Sequence, residues 1–266
     1  MNKNIDKYLH KSFDKEAGRL HAFKRTKIVA TVGPACDTYE KLLELVKAGV
    51  NVFRLNFSHG AHEDKARIIE LIHKINKSEP YNIAILADLQ GPKLRVGDLE
   101  GGALEINEGD ILTFTNEKVI GNRERIYVSY PDLHTDVKVG EKILFDDGKL
   151  EVIVKEITAT KEVKVEVTLG GVLLPKKGMN LPDTRISLPS LTEKDLADLE
   201  FIMKQRVEWI ALSFVRSPDD ITGLKEKIKK AGHSAKVIAK IEMPQAIVNL
   251  RDIIVESDGI MIARGD

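Results

Sequence analysis

The chain has 266 residues, enough for one large domain or one domain carrying an insertion. Lysine plus arginine and aspartate plus glutamate both number 41, so the broad basic field that a general nucleic-acid or membrane-surface binder needs is missing. One cysteine, Cys36, excludes a disulfide framework; the polar opening "MNKNIDKYLHKSFDK" lacks a signal-peptide core and no apolar run has the length of a membrane span, so a cytoplasmic protein is expected.

In chain order, residues 1–23 read as a polar lead-in and 24–91 as the first part of an α/β unit. "KIVATVG" is a β-branched run closed by Gly-Pro. "TYEKLLELVKAG" follows as a helix, with Leu42, Leu43, Leu45 and Val46 on one stripe and Gly49 as its C-cap. "VNVFRLNFS" is a second strand, "AHEDKARIIELIHKINKS" a second helix and "NIAILADL" a third strand. This alternation implies parallel strands joined by crossover helices.

Between Pro92 and Leu188 the pattern changes. "ALEINEGDILTFT", "RIYVSY", "EKILFDDGKLEVIVKEI" and "KEVKVEVTL" alternate apolar with polar residues between Gly and Asp-Gly turns, which predicts an all-β antiparallel domain over 92–188 with no helix. Within it "FDDG", Phe145 to Gly148, is a hairpin turn. The α/β pattern returns over 189–266. Thr192 is placed to cap a helix with Asp195 three residues on, and the stripe Leu196, Leu199, Ile202 and Met203 is expected to face the core. Then follow strand "VEWIALSFV", helix "DDITGLKEKIKKAG", strand "AKVIAKIE", helix "PQAIVNLRDIIVES" and strand "GIMIARG".

Six parallel strands suit a doubly wound sheet or most of a barrel. "VATVGPACDT" does not supply the G-x-G-x-x-G turn of a dinucleotide-binding sheet, and the sixth strand reaches the last residue. The expected architecture is therefore α/β, a (β/α)8 TIM barrel cut after its sixth strand, with an all-β lid domain after the third. A barrel left with open edges is expected to be unstable or self-associating.

Side chains alternate across a strand, so Arg54, Asn56 and Ser58 share one face of the second strand, and Lys240 and Glu242 share one face of the fifth. Asp88 ends the third strand, and Arg264, Gly265 and Asp266 end the sixth. In a parallel barrel these tips meet at one mouth. An apolar strand gains no packing from charges on its inner face, so the set asks for a chemical reason. Glu242 and Asp266 are hard oxygen donors suited to Mg²⁺, Arg54 and Lys240 suit a transferring phosphoryl group, and Gly265 lets the backbone approach an anion. The residues alone thus point to metal-assisted phosphoryl transfer involving a small carboxylate substrate.

The motifs "KIVATVGPACDT", "GVNVFRLNFSHG", "ADLQGPKLRVG", "KKGMNLPDTRISLPSLTEKD", "ALSFVRS", "KIE" and "SDGIMIARGD" occur in the order and register of pyruvate kinases, which this chain resembles from about Lys24 to Asp266. The resemblance implies a glycolytic kinase that moves phosphate from phosphoenolpyruvate to ADP, giving ATP and pyruvate. It implies Arg54 on the phosphate, Lys240 on the phosphoryl transition state, Glu242 and Asp266 on Mg²⁺ or Mn²⁺, and the Gly265–Asp266 backbone on the substrate carboxylate. It also implies Asn56, Phe57, Ser58, His59, Arg95 and Lys177 on the nucleotide. A K⁺ site is implied near Asn56, Ser58, Asp88 and Leu89. Where K⁺-dependent members carry glutamate after the hinge Gly-Pro, this chain has Lys93, whose ammonium can take the place of the cation, so K⁺ independence is expected. Intact members are commonly homotetramers.

This 266-residue chain on its own is expected to be inactive, and two alternatives remain beside this reading: another Mg²⁺-dependent barrel acting on phosphoenolpyruvate or an enolate, which would lack the lid motifs "GPKLRVG" and "KKGMNLP", and a non-catalytic truncated fragment. "RGD" at the end of a buried strand is not an adhesion motif. "SHG" does not make a Ser–His pair, because adjacent strand residues face opposite ways. "LKEKIKK" is a solvated helix face.

Overall fold

A computed structural model describes residues 26–146 and 148–263. Its first sheet is six-stranded: β1 (Val29–Thr31), β2 (Val52–Asn56), β3 (Ala84–Asp88), β12 (Trp209–Leu212), β13 (Lys236–Ile241) and β14 (Gly259–Ile262), neighbours in that order. Every pairing is parallel. Spatial order equals chain order, so each right-handed crossover steps the same way and all the helices fall on one side. That is the winding of a barrel. A doubly wound sheet would reverse direction at a switch point.

The crossovers are α1 (Tyr39–Lys47), α2 (His62–Ser78), α4 (Glu193–Ile202), α5 (Pro218–Lys230) and the pair α6 (Pro244–Val248) and α7 (Leu250–Glu256). Thr38 caps α1, whose buried residues are Leu42 and Val46. Its C-cap is Ala48, and Gly49 one residue later takes φ +110°. The last crossover, expected as one helix, breaks at Asn249 (φ −97°, ψ 14°), whose side-chain amide donates to Arg216 O at 2.8 Å.

Thr192 and Asp195 form the expected capping box at the start of α4. The stripe is displaced, however. Leu196 is 38% exposed, while Asp195 and Asp198 are buried beside Leu199 and Ile202. Asp195 is held because Oδ2 accepts from Thr192 N (2.9 Å) and Thr192 Oγ1 (2.6 Å), and Oδ1 accepts from Gly91 N (3.1 Å). One carboxylate therefore binds the chain on both sides of the β insertion.

The insertion holds a second sheet ordered β11 (Met179–Asn180), β7 (Lys142–Phe145), β8 (Leu150–Ile157), β9 (Val163–Leu169), β5 (Ile111–Thr115), β6 (Ile126–Tyr127), plus a ribbon of β4 (Leu104–Ile106) with β10 (Gly171–Leu173). Pairing is antiparallel except between β5 and β6, which run parallel. A four-residue helix, α3 (Leu133–Asp136), and a 3-10 turn at Glu100–Gly102 occur where no helix was expected. The β7–β8 hairpin turns at "FDDG" as expected, with Asp146 at φ +49° and Gly148 at φ +82°; Asp147 lies outside the described residues.

Each sheet has its own apolar core. One joins Leu42, Phe53, Leu55, Ile72 and Ile85 with Ile210, Leu224 and Val237. The other joins Phe114, Phe145, Val152 and Val165 with Leu173 and Ile186, and reaches Phe214 and Met243 on the barrel side. Cys36 is half-buried and its thiol donates to Gly33 O at 3.5 Å, a turn cysteine.

Candidate active site

The tips of β2, β3, β12 and β13 enclose a cavity of about 150 Å³. Arg54, Asn56, Ser58, Asp88, Leu89, Lys93 and Lys240 line it, with Gln90, Ser213 and Phe214 completing the wall. Alternation explains the first of these. In β2 Phe53 and Leu55 go fully into the core, which leaves Arg54 and Asn56 on the other face. Two larger clefts, of about 640 Å³ beside His73 and Arg206 and about 670 Å³ beside Arg185 and Asn249, lie away from these tips and gather none of the strand-tip charges.

Asp88 is the hub. It is 1% exposed and pairs with the Arg54 guanidinium, whose Nε donates to Oδ2 at 2.6 Å. A second Arg54 nitrogen donates to Thr31 Oγ1 at 3.0 Å. On the other side Lys240 Nζ lies 3.5 Å from Asp88 Oδ1, 2.9 Å from Glu242 Oε1 and 2.9 Å from Ser213 Oγ, to which it donates. Ser213 in turn donates to Leu89 O at 2.7 Å. Lys240 is 5% exposed. A buried ammonium is tolerable only with such partners.

Two carboxylate oxygens, Asp88 Oδ1 and Glu242 Oε1, are buried without a hydrogen bond among the described residues. Glu242 Oε1 is near Lys240 in charge but not aligned with it, while Oε2 accepts from Phe214 N at 2.9 Å. A hard oxygen with a spare lone pair, fixed by its partner oxygen, fits one ligand position of a divalent cation. The second expected ligand, Asp266, lies outside the described residues, as do Arg264 and Gly265. Among the described residues, Arg54, Lys93 and Lys240 stand against Asp88 and the adjoining Glu242, an excess of one positive charge, the sign that receives phosphate.

The other expected residues sit as follows. Asn56 and Ser58 are in the cavity, with Ser58 N donating to Asn56 Oδ1 at 2.9 Å. The Phe57 ring is buried at 2% exposure, and its carbonyl accepts from Lys194 Nζ at 2.7 Å. His59 is exposed and outside the cavity lining. Arg95 and Lys177 lie on the inserted module. Arg95 donates to Lys176 O at 2.6 Å, and Lys177 pairs with Asp146 at 2.7 Å. The Asp146 carboxyl is held below the usual range by hydrogen bonds from Lys177 and Lys149.

Comparison with known proteins decides the family. The family model described as the pyruvate kinase barrel domain matches residues 23–266. The chain belongs to the pyruvate kinase family. The pyruvate kinase of Geobacillus stearothermophilus is 43% identical over 247 residues, 91% of this chain and 42% of that protein. The pyruvate kinase of Staphylococcus aureus strain MRSA252 is 43% identical over 244 residues, with the same coverage of 91% and 42%. A crystal structure of a pyruvate kinase from Cryptosporidium parvum superposes with a TM-score of 0.84 at 36% identity, covering 91% of this chain and 51% of that one. The chain thus spans about two fifths of the curated pyruvate kinases it matches.

Sequence reasoning missed three residues of the site's support. Ser213 and Phe214 sit just past the end of β12, where strand alternation no longer assigns a face. Asp195 reads as the capping partner of Thr192, and its bond to Gly91 crosses 104 positions of sequence. The quoted motif "ALSFVRS" was the available signal for the first two.

Proposed function

We propose that this chain forms the phosphoryl-transfer mouth of a pyruvate kinase, moving phosphate from phosphoenolpyruvate to ADP to give ATP and pyruvate. The observation that carries this reading is the Arg54–Asp88–Lys240–Glu242 constellation at the tips of adjacent parallel strands. Arg54, anchored by Asp88 and Thr31, binds the phosphate. Lys240 offers its ammonium to the charge that builds on the transferring group. Because Lys240 is already fixed by Ser213, Glu242 and Asp88, little reorganisation is left for the moment of transfer.

Glu242 and Asp266 would hold Mg²⁺ or Mn²⁺, which when bound neutralises and aligns phosphate oxygens. The Gly265–Asp266 backbone would take the substrate carboxylate. Asn56 to His59, Arg95 and Lys177 would meet the nucleotide; Phe57 would act through its main chain, since its ring is in the core. Residues 92–188 would serve as a lid over the mouth. Lys93, on the cavity wall with Asn56, Ser58, Asp88 and Leu89, would stand in for K⁺. A cytoplasmic location and a homotetrameric assembly go with this reading. Among the described residues no helix is long and apolar enough to cross a membrane.

The test is a coupled assay of phosphoenolpyruvate-dependent ATP formation. It is run on this chain and on a version extended to the length of its relatives, with K⁺ present or replaced by a bulky inert cation at constant ionic strength. The extended version is expected to form ATP at similar rates in both media. No ATP formation would remove the proposed activity. A drop beyond about tenfold without K⁺, some 1.4 kcal/mol of barrier, would remove the role given to Lys93.

A further inference from the structure

We propose that Arg216 is the latch that holds the inserted β module against the barrel, and that the segment Ser213–Arg216 links the module's position to Lys240 and Glu242. The proposal rests on the proposed function only for the roles of those two residues.

The segment touches every part that would have to move together. Ser213 Oγ sits between Lys240 Nζ (2.9 Å) and Leu89 O (2.7 Å). Phe214 N donates to Glu242 Oε2 at 2.9 Å from a left-handed backbone, φ +55°, which a bulky residue adopts only when its surroundings enforce it. The Phe214 ring lies against the outgoing hinge so closely that a Cβ on Gly91 would come within 2.7 Å of it. The same ring packs on the core of the inserted module.

Arg216 completes the connection at the returning strand. Its main chain belongs to the barrel: N–H donates to Asp220 Oδ2 and O accepts from Asn249 Nδ2, both at 2.8 Å. Its guanidinium crosses to the module and forks over two carbonyls, Ile186 O at 2.5 Å and Leu188 O at 2.7 Å. Two carbonyls two residues apart call for a planar fork, which lysine cannot reproduce. Both acceptors are main-chain groups flanking exposed Ser187 and Pro189, beside the open 670 Å³ cleft, so water can replace the bonds when the module swings. One further polar tie, Gln245 Nε2 to Thr184 O at 3.1 Å, lies next to it.

The experiment is hydrogen exchange on the full chain for wild type, R216M and R216K. R216M keeps the apolar stem and loses both donors. Exchange across residues 183–190 and at the Phe214 amide is expected to rise about tenfold in R216M, and less in R216K, while β8, β9 and α2 keep wild-type protection. In the coupled assay the KM for ADP is expected to rise about five- to tenfold, with the KM for phosphoenolpyruvate within about twofold. Unchanged exchange over 183–190 would overturn the latch. A change there without one at Phe214 would overturn the link to the site. A rise spread evenly over both sheets in both variants would make Arg216 a general packing residue and overturn both. In the version extended to the length of its relatives, the exchange pattern with no measurable activity would sink the proposed function and leave the latch standing.

Discussion

Every charged residue counted as buried among the described residues, Lys65, Asp88, Asp195, Asp198 and Lys240, belongs to the parallel sheet and its helices. Among its described residues the inserted β module buries Thr115, Thr184 and the Tyr130 phenol, but no charged side chain. Its ion pairs, such as Lys142–Glu151, Lys155–Glu166 and Lys164–Glu156, stay at the surface, where each is worth about 0–1 kcal/mol. Both halves are folded by apolar cores, so the contrast is not about stability. Charges taken out of water cost several kcal/mol each unless paired. The barrel accepts that cost at strand tips, at the hinge and between helices, while the module does not. The module is built to hold its shape, and the barrel to hold charged groups in place.

The substitution with the largest expected effect is Lys240→Met. It should slow turnover by about 10³-fold or more in the coupled assay, and it leaves Asp88 and Glu242 with one cation fewer, costing about 3–5 kcal/mol in denaturant unfolding. A variant of near-normal rate would mean that the barrel's buried charges are structural after all. Phe145→Ala probes the other half. Phe145 is 1% exposed and meets Phe114 edge-on at 5.5 Å between ring centres. A loss of about 3–5 kcal/mol is expected, confined to the module, so amide protection should fall in β7–β9 and persist in β3, β12 and β13. Equal loss in both sheets would show that the two cores melt as one.

Asp195→Ala removes the side-chain half of the capping box and orphans the Gly91 amide. About 1–3 kcal/mol should disappear, read as a lower melting temperature together with faster exchange at Gly91 and Thr192. If only Thr192 responds, the carboxylate does not fasten the outgoing hinge. The smallest effect concerns alkaline pH. Burial, and then the hydrogen bond to Asp136, push the Tyr130 phenol up to about 12. A phenol that ionises near 10 when unfolded and near 12 when folded favours folding below 10, and that contribution is lost as pH rises towards 12. Melts of wild type and Tyr130→Phe between those values, with phenolate absorbance as a second readout, should show the difference only for wild type.

The sheet order was legible because short apolar, often β-branched runs alternate with amphipathic helical stretches on both sides of the insertion. The strand-tip cations were legible for a different reason: Lys240 and Glu242 share a face of a strand that is otherwise apolar, and packing cannot account for them. What stayed hidden depends on partners distant in sequence. Leu196 faces outwards and Asp198 inwards because His62 and Lys194 bind the Asp198 carboxylate, at 2.7 and 2.6 Å. Helical periodicity carries no trace of such compensation. The break at Asn249 depends on Arg216 O, 33 residues earlier in the chain. The expected contacts at Gly265 and Asp266 fall outside the described residues.

The Asp195 carboxylate also bears on how the molecule could have been assembled. The chain leaves the barrel at Gly91 and is back at Thr192, with one point fastened to each oxygen of the same carboxylate. For the barrel, everything in between is a loop whose ends are already tied. The entropy of tying them rises only with the logarithm of loop length, about 0.6 kcal/mol for each doubling. The junction is therefore a grafting point. Shorter, longer or unrelated modules could be set there with little change in the cost of closing the barrel, and selection could reshape the insertion without disturbing the strand-tip residues of the barrel.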